Sequence, residues 1–221
     1  MMPELFCQSP FPYPDPPLRW SRKLCYITDW HALEPLPLLP RVLEAIRAGI
    51  DLVQVREKDL ATRPLLALVQ AAVEAARGTT TQVVVNDRLD VALAGGADGV
   101  HLGTQSMPAR VVGEHVPPGF LVGVSCHSLP DALAAEAEGA DYIVLGPVFE
   151  TPSKLRYGPP LGLEKLRQAA AQVKIPVLAL GGITVARVPD CLSAGASGVA
   201  GIAIFQNCES VAERVQELRR E

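Results

Sequence analysis

No apolar run in this 221-residue sequence is long enough to span a membrane. The N-terminus has no basic stretch leading into an apolar core, so neither a membrane anchor nor a secretory signal is expected. An excess of one charge is also missing. Lys and Arg number 20 against 24 Asp and Glu, leaving a net charge of −4 with the two signs interspersed. That balance gives no reason to expect a nucleic acid or a membrane surface as partner. The five cysteines (Cys7, Cys25, Cys126, Cys191, Cys208) are odd in number and lack metal-type spacing. They read as reduced thiols of a cytoplasmic protein. The first strand-like run leads into Ile27-Thr-Asp-Trp-His-Ala, where a dinucleotide-binding sheet would need a glycine-rich turn.

What the chain does have is repetition. Residues 1–21, with prolines at 3, 10, 12, 14, 16 and 17, form a Pro-rich N-terminal extension to which no chemistry is assigned. Beyond it, short apolar strand-like runs begin at Lys23, Asp51, Gln82, Ala97, Phe120, Asp141, Ile175 and Gly198. Each is followed by a stretch with helical spacing, such as Leu39, Val42, Leu43 and Ile46 after the first. Eight such alternations over residues 22–221 predict a single α/β domain, a (β/α)8 TIM barrel. Phrases of one form precede alternate strands: Ala48-Gly-Ile-Asp, Gly95-Gly-Ala-Asp-Gly-Val, Glu138-Gly-Ala-Asp-Tyr-Ile and Ala194-Gly-Ala-Ser-Gly-Val. Each supplies a helix-ending glycine and a short turn into a strand.

In such a barrel the active site lies at the C-terminal ends of the strands. With a period of two, Gln54, Arg56 and Lys58 point to one side of strand two, while Val53 and Val55 pack outward. They either meet a ligand or form a structural salt bridge with Glu57 or Asp87. Strand three ends in Asn86-Asp87, where the carboxylate suits Mg2+ or the N-cap of the next helix. Strand five ends in Ser125-Cys126-His127-Ser128. Ser125 is a donor at the mouth, His127 a proton shuttle or a structural turn residue, and Ser128 a helix cap. Strand six opens into Thr151-Pro-Ser153-Lys154-Leu-Arg156, two hydroxyls and two cations that resemble an anion clamp. Gly181-Gly182 after strand seven and Ile202-Ala203 after strand eight offer bare amides for a phosphate. Two anion subsites, a candidate metal carboxylate and no nucleophile point to the joining of two small phosphorylated molecules.

Val53-Gln-Val-Arg-Glu-Lys-Asp, Val85-Asn-Asp-Arg, Gly99-Val-His-Leu-Gly, Gly123-Val-Ser-Cys-His-Ser, Leu145-Gly-Pro-Val-Phe-Glu-Thr-Pro-Ser-Lys and Leu180-Gly-Gly-Ile-Thr together resemble the thiamine-phosphate synthase family. They are similar also to its relative, the thiazole tautomerase. The synthase likeness implies condensation of hydroxymethylpyrimidine diphosphate with thiazole phosphate, with Mg2+ as cofactor. It places the diphosphate on Gln54, Arg56 and Lys58, the pyrimidine on Asn86, and Mg2+ on Asp87. Ser125 and Lys154 would stabilise the leaving diphosphate. Thr151 and Ser153 would hold the thiazole, and Gly182 with Ile202 and Ala203 its phosphate. Two positions depart from the family pattern. Ser106 stands where the synthases place a second metal-binding Asp, so a ligand there is weak or acts through water, and Ala203 stands where they usually have Ser. The tautomerases also lack that Asp and use a His matched by His127 as acid/base, although some of them have lost the carboxylate equivalent to Asp87. A barrel that binds thiamine intermediates without turnover is a third reading, and a homo-oligomer is left open.

Overall fold

The computed structural model describes residues 20–33, 36–151 and 159–220. Eight strands run β1 (Lys23–Ile27), β2 (Leu52–Val55), β3 (Gln82–Asn86), β4 (Gly99–Leu102), β5 (Leu121–Cys126), β6 (Tyr142–Leu145), β7 (Val177–Leu180) and β8 (Gly198–Gly201). They close into a parallel barrel in sequence order, as the alternation predicts. The helices around it are α1 (Leu38–Arg47), α2 (Thr62–Ala76), α3 (Leu89–Gly95), α4 (Ala109–Gly113), α5 (Leu129–Ala137), α6 (Gly162–Gln172) and α7 (Val188–Ser193). After β8 come a short α8 (Ala203–Gln206) and a closing α9 (Val211–Arg220). The short α8 was not expected from the sequence, because four residues are too few to show a helical period.

Strand alternation divides the core into two shells. Val53, Val55, Val83, Val85 and Val100 point outward and pack under the helices with Val42, Ile46, Leu65 and Val69. Cys25, Ile27, Leu52, Val84, Tyr142, Val144, Leu178 and Ala200 fill the barrel itself, with Trp20, Leu180 and Ile202 packed against them. Each large apolar side chain so buried is worth about 1.5–3 kcal/mol. Trp20, read as part of the extension, stacks on Tyr142 with ring centroids 5.1 Å apart. It belongs to the barrel's inner cluster. Residues 1–19 lie outside the described residues.

The repeated phrases do more than end helices. Gly49, Gly96, Gly139 and Gly195 all take positive φ, as the helix-ending role requires. The polar residue that follows reaches back to the strand before. Asp51 Oδ2 accepts from Leu24 N–H at 2.9 Å, Asp98 from Val83 N–H at 2.7 Å and Asp141 from Val122 N–H at 2.7 Å. Ser197 repeats the contact with Val177 N–H at 3.4 Å. The even-numbered strands β2, β4, β6 and β8 thus each begin with a side chain that satisfies the open N–H of the odd strand beside it. The repetition builds the barrel from four strand pairs.

Candidate active site

The inward residues of β2, β3 and β4 change from apolar to polar toward their C-terminal ends. Gln54, only 2% exposed, donates from Nε2 to Asn86 Oδ1 at 3.0 Å. Asn86 Nδ2 reaches Asp87 Oδ2 at 3.3 Å. Asp87 Oδ1 accepts from the Ser106 hydroxyl, and Ser106 Oγ accepts from Gly103 N–H at 2.6 Å. This chain of side chains crosses three strand ends and leaves one atom over. Gln54 Oε1 is buried without a hydrogen-bond partner. A buried acceptor in that state is costly unless a ligand meets it.

Asp87 takes φ of 61°, left-handed backbone that Asp tolerates better than most residues. Its N–H donates to His101 O at 2.9 Å, which ties β3's end to β4. The helix-cap reading of Asp87 does not hold. Arg88 occupies the N-cap of α3, and the Asp87 side chain turns to Ser106 and Asn86 instead. The structural salt bridges proposed for β2 are absent too. Among the described residues no ion pair joins Arg56 or Lys58 to Glu57 or Asp87. Arg56 is half-buried and Lys58, past the end of β2, is exposed.

His101 has no role assigned from the sequence, yet it is buried inside the barrel between β3 and β5. It is 1% exposed, with Nε2 2.9 Å from Ser125 Oγ and Nδ1 3.2 Å from Tyr142 Oη. Burial pushes its pKa down from 6.5 to about 4, with Asp87 opposing and Arg56 assisting, so the imidazole is neutral at ordinary pH. Burial holds the Tyr142 hydroxyl protonated, well above its usual range. Gly123 makes room for this arrangement. It pairs with Tyr142 across β5 and β6, and a Cβ on it would lie 2.2 Å from the Tyr142 ring. The signal in the sequence was the phase of His101, two residues from Gly99 on the inward face.

On the other side of the mouth, His127 is exposed and its Nδ1 lies 2.5 Å from Gly146 O. Ser128 caps α5 by accepting from Asp131 N–H at 3.2 Å, as expected. Cys126 is fully buried and burial raises its thiol to about 12, which suits packing. The loops after β6 and β7 are joined by backbone bonds, Val148 N–H to Leu180 O at 2.7 Å and Phe149 N–H to Gly181 O at 3.0 Å. Gly182 at φ +63° fits against this loop, where a Cβ would come 2.5 Å from Glu150 O. Arg187 lies 4.5 Å over the Phe149 ring and donates to Gly182 O at 2.7 Å. Thr151 follows directly, while Ser153, Lys154 and Arg156 lie outside the described residues. Ile202 is half-buried at the N-cap of α8 and Ala203 opens that helix. A loop pair after β7 and β8 with a short extra helix is where barrels of this kind take phosphate.

The family described as "Thiamine monophosphate synthase" matches this chain over residues 24–205. The chain belongs to that family. Among its relatives is the "Thiamine-phosphate synthase" of Methanoculleus marisnigri, 45% identical over 175 residues, 79% of this chain and 83% of that one. The enzyme of the same name from Roseiflexus castenholzii is 41% identical over 195 residues, 88% and 83% of the two chains. A solved structure titled "Thiamine phosphate pyrophosphorylase from Pyrococcus furiosus" is 38% identical with a TM-score of 0.82, covering 91% of this chain and 96% of that one. No helix among the described residues is long and apolar enough to cross a membrane.

The resemblance implies two acids at a cation site, and at the positions concerned this chain offers one. Asp87 and Ser106 supply a carboxylate and a hydroxyl, and no cluster of three His, Cys, Asp or Glu suited to a metal occurs among the described residues. Hard oxygen donors and a single carboxylate still fit Mg2+, which completes its octahedron with waters and substrate phosphate oxygens. The fit is therefore one that depends on a phosphorylated substrate.

Proposed function

We propose that the protein makes thiamine phosphate, joining the pyrimidine methylene of hydroxymethylpyrimidine diphosphate to the nitrogen of thiazole phosphate and releasing diphosphate. Family membership supports this reading. The observation that carries it at the level of residues is the chain Gln54–Asn86–Asp87–Ser106, which has a buried, unpaired amide oxygen at one side and the hard oxygens of Asp87 and Ser106 at the other. An aminopyrimidine offers N–H donors to Gln54 Oε1 and ring nitrogens to neighbouring donors. Its diphosphate would extend toward Asp87, with Arg56 and Lys58 as counter-charges. Mg2+ held by Asp87, with Ser106 directly or through water, would neutralise part of the diphosphate charge.

In the reaction the carbon–oxygen bond to diphosphate breaks first, leaving a pyrimidine methylene cation that the thiazole nitrogen attacks. Charge grows on the leaving group, so groups that bind diphosphate act mainly on the transition state. Ser125 would donate to it. With the Tyr142 hydroxyl donating to His101 Nδ1, the neutral ring carries its proton on Nε2 and donates to Ser125 Oγ, which leaves the serine hydrogen for substrate. Thr151, Ser153 and Lys154 would face the thiazole and diphosphate from the β6 loop. The amides at Gly182, Ile202 and Ala203 would take the thiazole phosphate.

The test is incubation with both substrates and Mg2+, followed by chromatography for thiamine phosphate. Replacing Lys154 by Ala should lower kcat by about two orders of magnitude, the usual effect of removing one preorganised donor. Absence of product from the wild-type protein would overturn the reading, and unchanged turnover in the variant would remove Lys154 from it. The tautomerase reading rests on His127.

A further inference from the structure

Arg56 and Lys58 are the cations that the proposed reaction needs on β2, and Glu57 stands between them. It is out of phase with both, two residues past the end of β2, where a continued period of two would place an apolar residue. Yet it is only 6% exposed. Burial raises its carboxyl pKa, so keeping an acid here has a cost.

What the carboxylate touches explains its place. Glu57 Oε2 accepts from the Trp30 backbone N–H at 3.0 Å. Oε1 is buried without a hydrogen-bond partner, and the Thr28 hydroxyl acts on the carboxyl from nearby. Thr28, fully buried, accepts the Arg56 N–H on its Oγ1 at 2.9 Å and donates its own N–H to Gln54 O at 3.0 Å. Two residues on, Asp59 accepts from the Trp30 indole at 2.9 Å and meets His31 Nε2 at 2.7 Å. The loop after β2 is thus fastened to the loop after β1 at residues 56, 57 and 59. Of these fastenings only Glu57 is made by a buried side chain of the β2 loop itself.

We infer that Glu57 is a positioning residue for diphosphate binding: its carboxylate locks the β2 loop onto the Trp30 amide, beside the Thr28 hydroxyl that holds the Arg56 amide, and so fixes the direction of Arg56 and Lys58. The inference rests on the proposed function. It does not require Glu57 to touch substrate. A cation held in one direction binds diphosphate without first losing the freedom of a loose loop, and displacement by about 1 Å is enough to cost affinity.

The probe is inorganic diphosphate with Mg2+, measured by calorimetry on the full chain, alongside KM for thiazole phosphate. Glu57→Ala should weaken diphosphate binding about tenfold or more while KM for thiazole phosphate stays within about twofold. Glu57→Gln keeps an acceptor for Trp30 N–H and should restore most of the affinity. Thr28→Val removes the hydroxyl of the same lock at equal volume, and provides the second route should Glu57→Ala not fold; it should weaken diphosphate in the same selective way. Wild-type affinity in both Glu57→Ala and Thr28→Val would overturn the inference alone. So would a Glu57→Gln protein as weak as Glu57→Ala, since charge and not anchoring would then matter. Equal loss for diphosphate and thiazole phosphate would also overturn it, marking a general structural role. A wild-type protein that does not bind diphosphate would bring down the proposed function and this inference together.

Discussion

The Ser106 hydroxyl donates to the Asp87 carboxylate across the ends of β3 and β4, in the place where the synthase pattern has a second acid. The contact satisfies Asp87 without a metal, and it leaves one fewer negative charge for a cation. Ser106→Asp should therefore lower the Mg2+ concentration for half-maximal thiamine phosphate formation, by about tenfold if the carboxylate enters the coordination shell. In chelator the same variant should melt at a lower temperature than wild type, because two adjacent carboxylates repel. Mg2+ should reverse that loss. An unshifted Mg2+ requirement in an active parent would mean that residue 106 does not serve the metal.

His127 separates the synthase from the tautomerase. Its Nδ1 is engaged with Gly146 O, which leaves Nε2 as the one nitrogen able to move a proton. A tautomerase needs such a carrier, so His127→Ala should abolish that reaction. The dissociative condensation needs no proton transfer to histidine, and thiamine phosphate formation should fall by less than about tenfold. Loss of thiamine phosphate formation in a folded variant would put His127 in the synthase mechanism.

Gly182 has two reasons to be glycine, positive φ and the 2.5 Å approach of Glu150 O to any Cβ. Gly182→Ala should distort the amide cup and reduce kcat/KM for thiazole phosphate by about a hundredfold, the scale of a reacting group misplaced by about 1 Å. Arg187→Ala removes the bond to Gly182 O and the stacking on Phe149, which is exposed and so worth only about 1 kcal/mol. It should raise KM for thiazole phosphate about fivefold and leave KM for the diphosphate substrate unchanged. A change in the second KM instead would assign the β6–β7 junction to the other subsite.

Much of this was legible in the chain because the period of a strand is simple. Val53 and Val55 against Gln54 told which way β2 faces, and the repeated Gly-Ala-Asp phrases marked where strands begin. What the phrases did not disclose is that Asp51, Asp98, Asp141 and Ser197 reach sideways to a neighbouring strand, a contact that exists only after the barrel closes. His101 was hidden for a different reason. One polar residue in Gly99-Val-His-Leu102 reads as packing until its partners Ser125 and Tyr142 arrive from β5 and β6. In the sequence Glu57 enters only as one of two alternative salt-bridge partners, with Asp87, for the cations of β2, because a charge pair is the nearest local explanation. Its actual partners lie in the β1 loop, 27 residues earlier in the case of Trp30.

The buried imidazole also sets an acid limit. His101 has its pKa lowered by burial from 6.5 to about 4, so the unfolded chain binds a proton that the folded chain refuses. Its contribution is full above the unfolded value and is lost as pH falls toward the folded one. Between pH 7 and about pH 4.5 this one group should remove roughly 2 kcal/mol of stability, each tenfold change in proton affinity being about 1.4 kcal/mol. Glu57 and Asp141 act in the opposite direction, since burial raises both carboxyls and the folded state takes up their protons first. A wild-type acid profile therefore mixes signs. The comparison that isolates His101 is with His101→Gln, which keeps a hydrogen-bonding side chain and does not titrate, measured by urea unfolding at the two pH values. The variant should be less stable at pH 7 and should lose about 2 kcal/mol less than wild type on acidification. Parallel losses in the two proteins would show that the fold does not depress the His101 pKa, and that the ring takes up its second proton at Nδ1 as readily as in the unfolded chain.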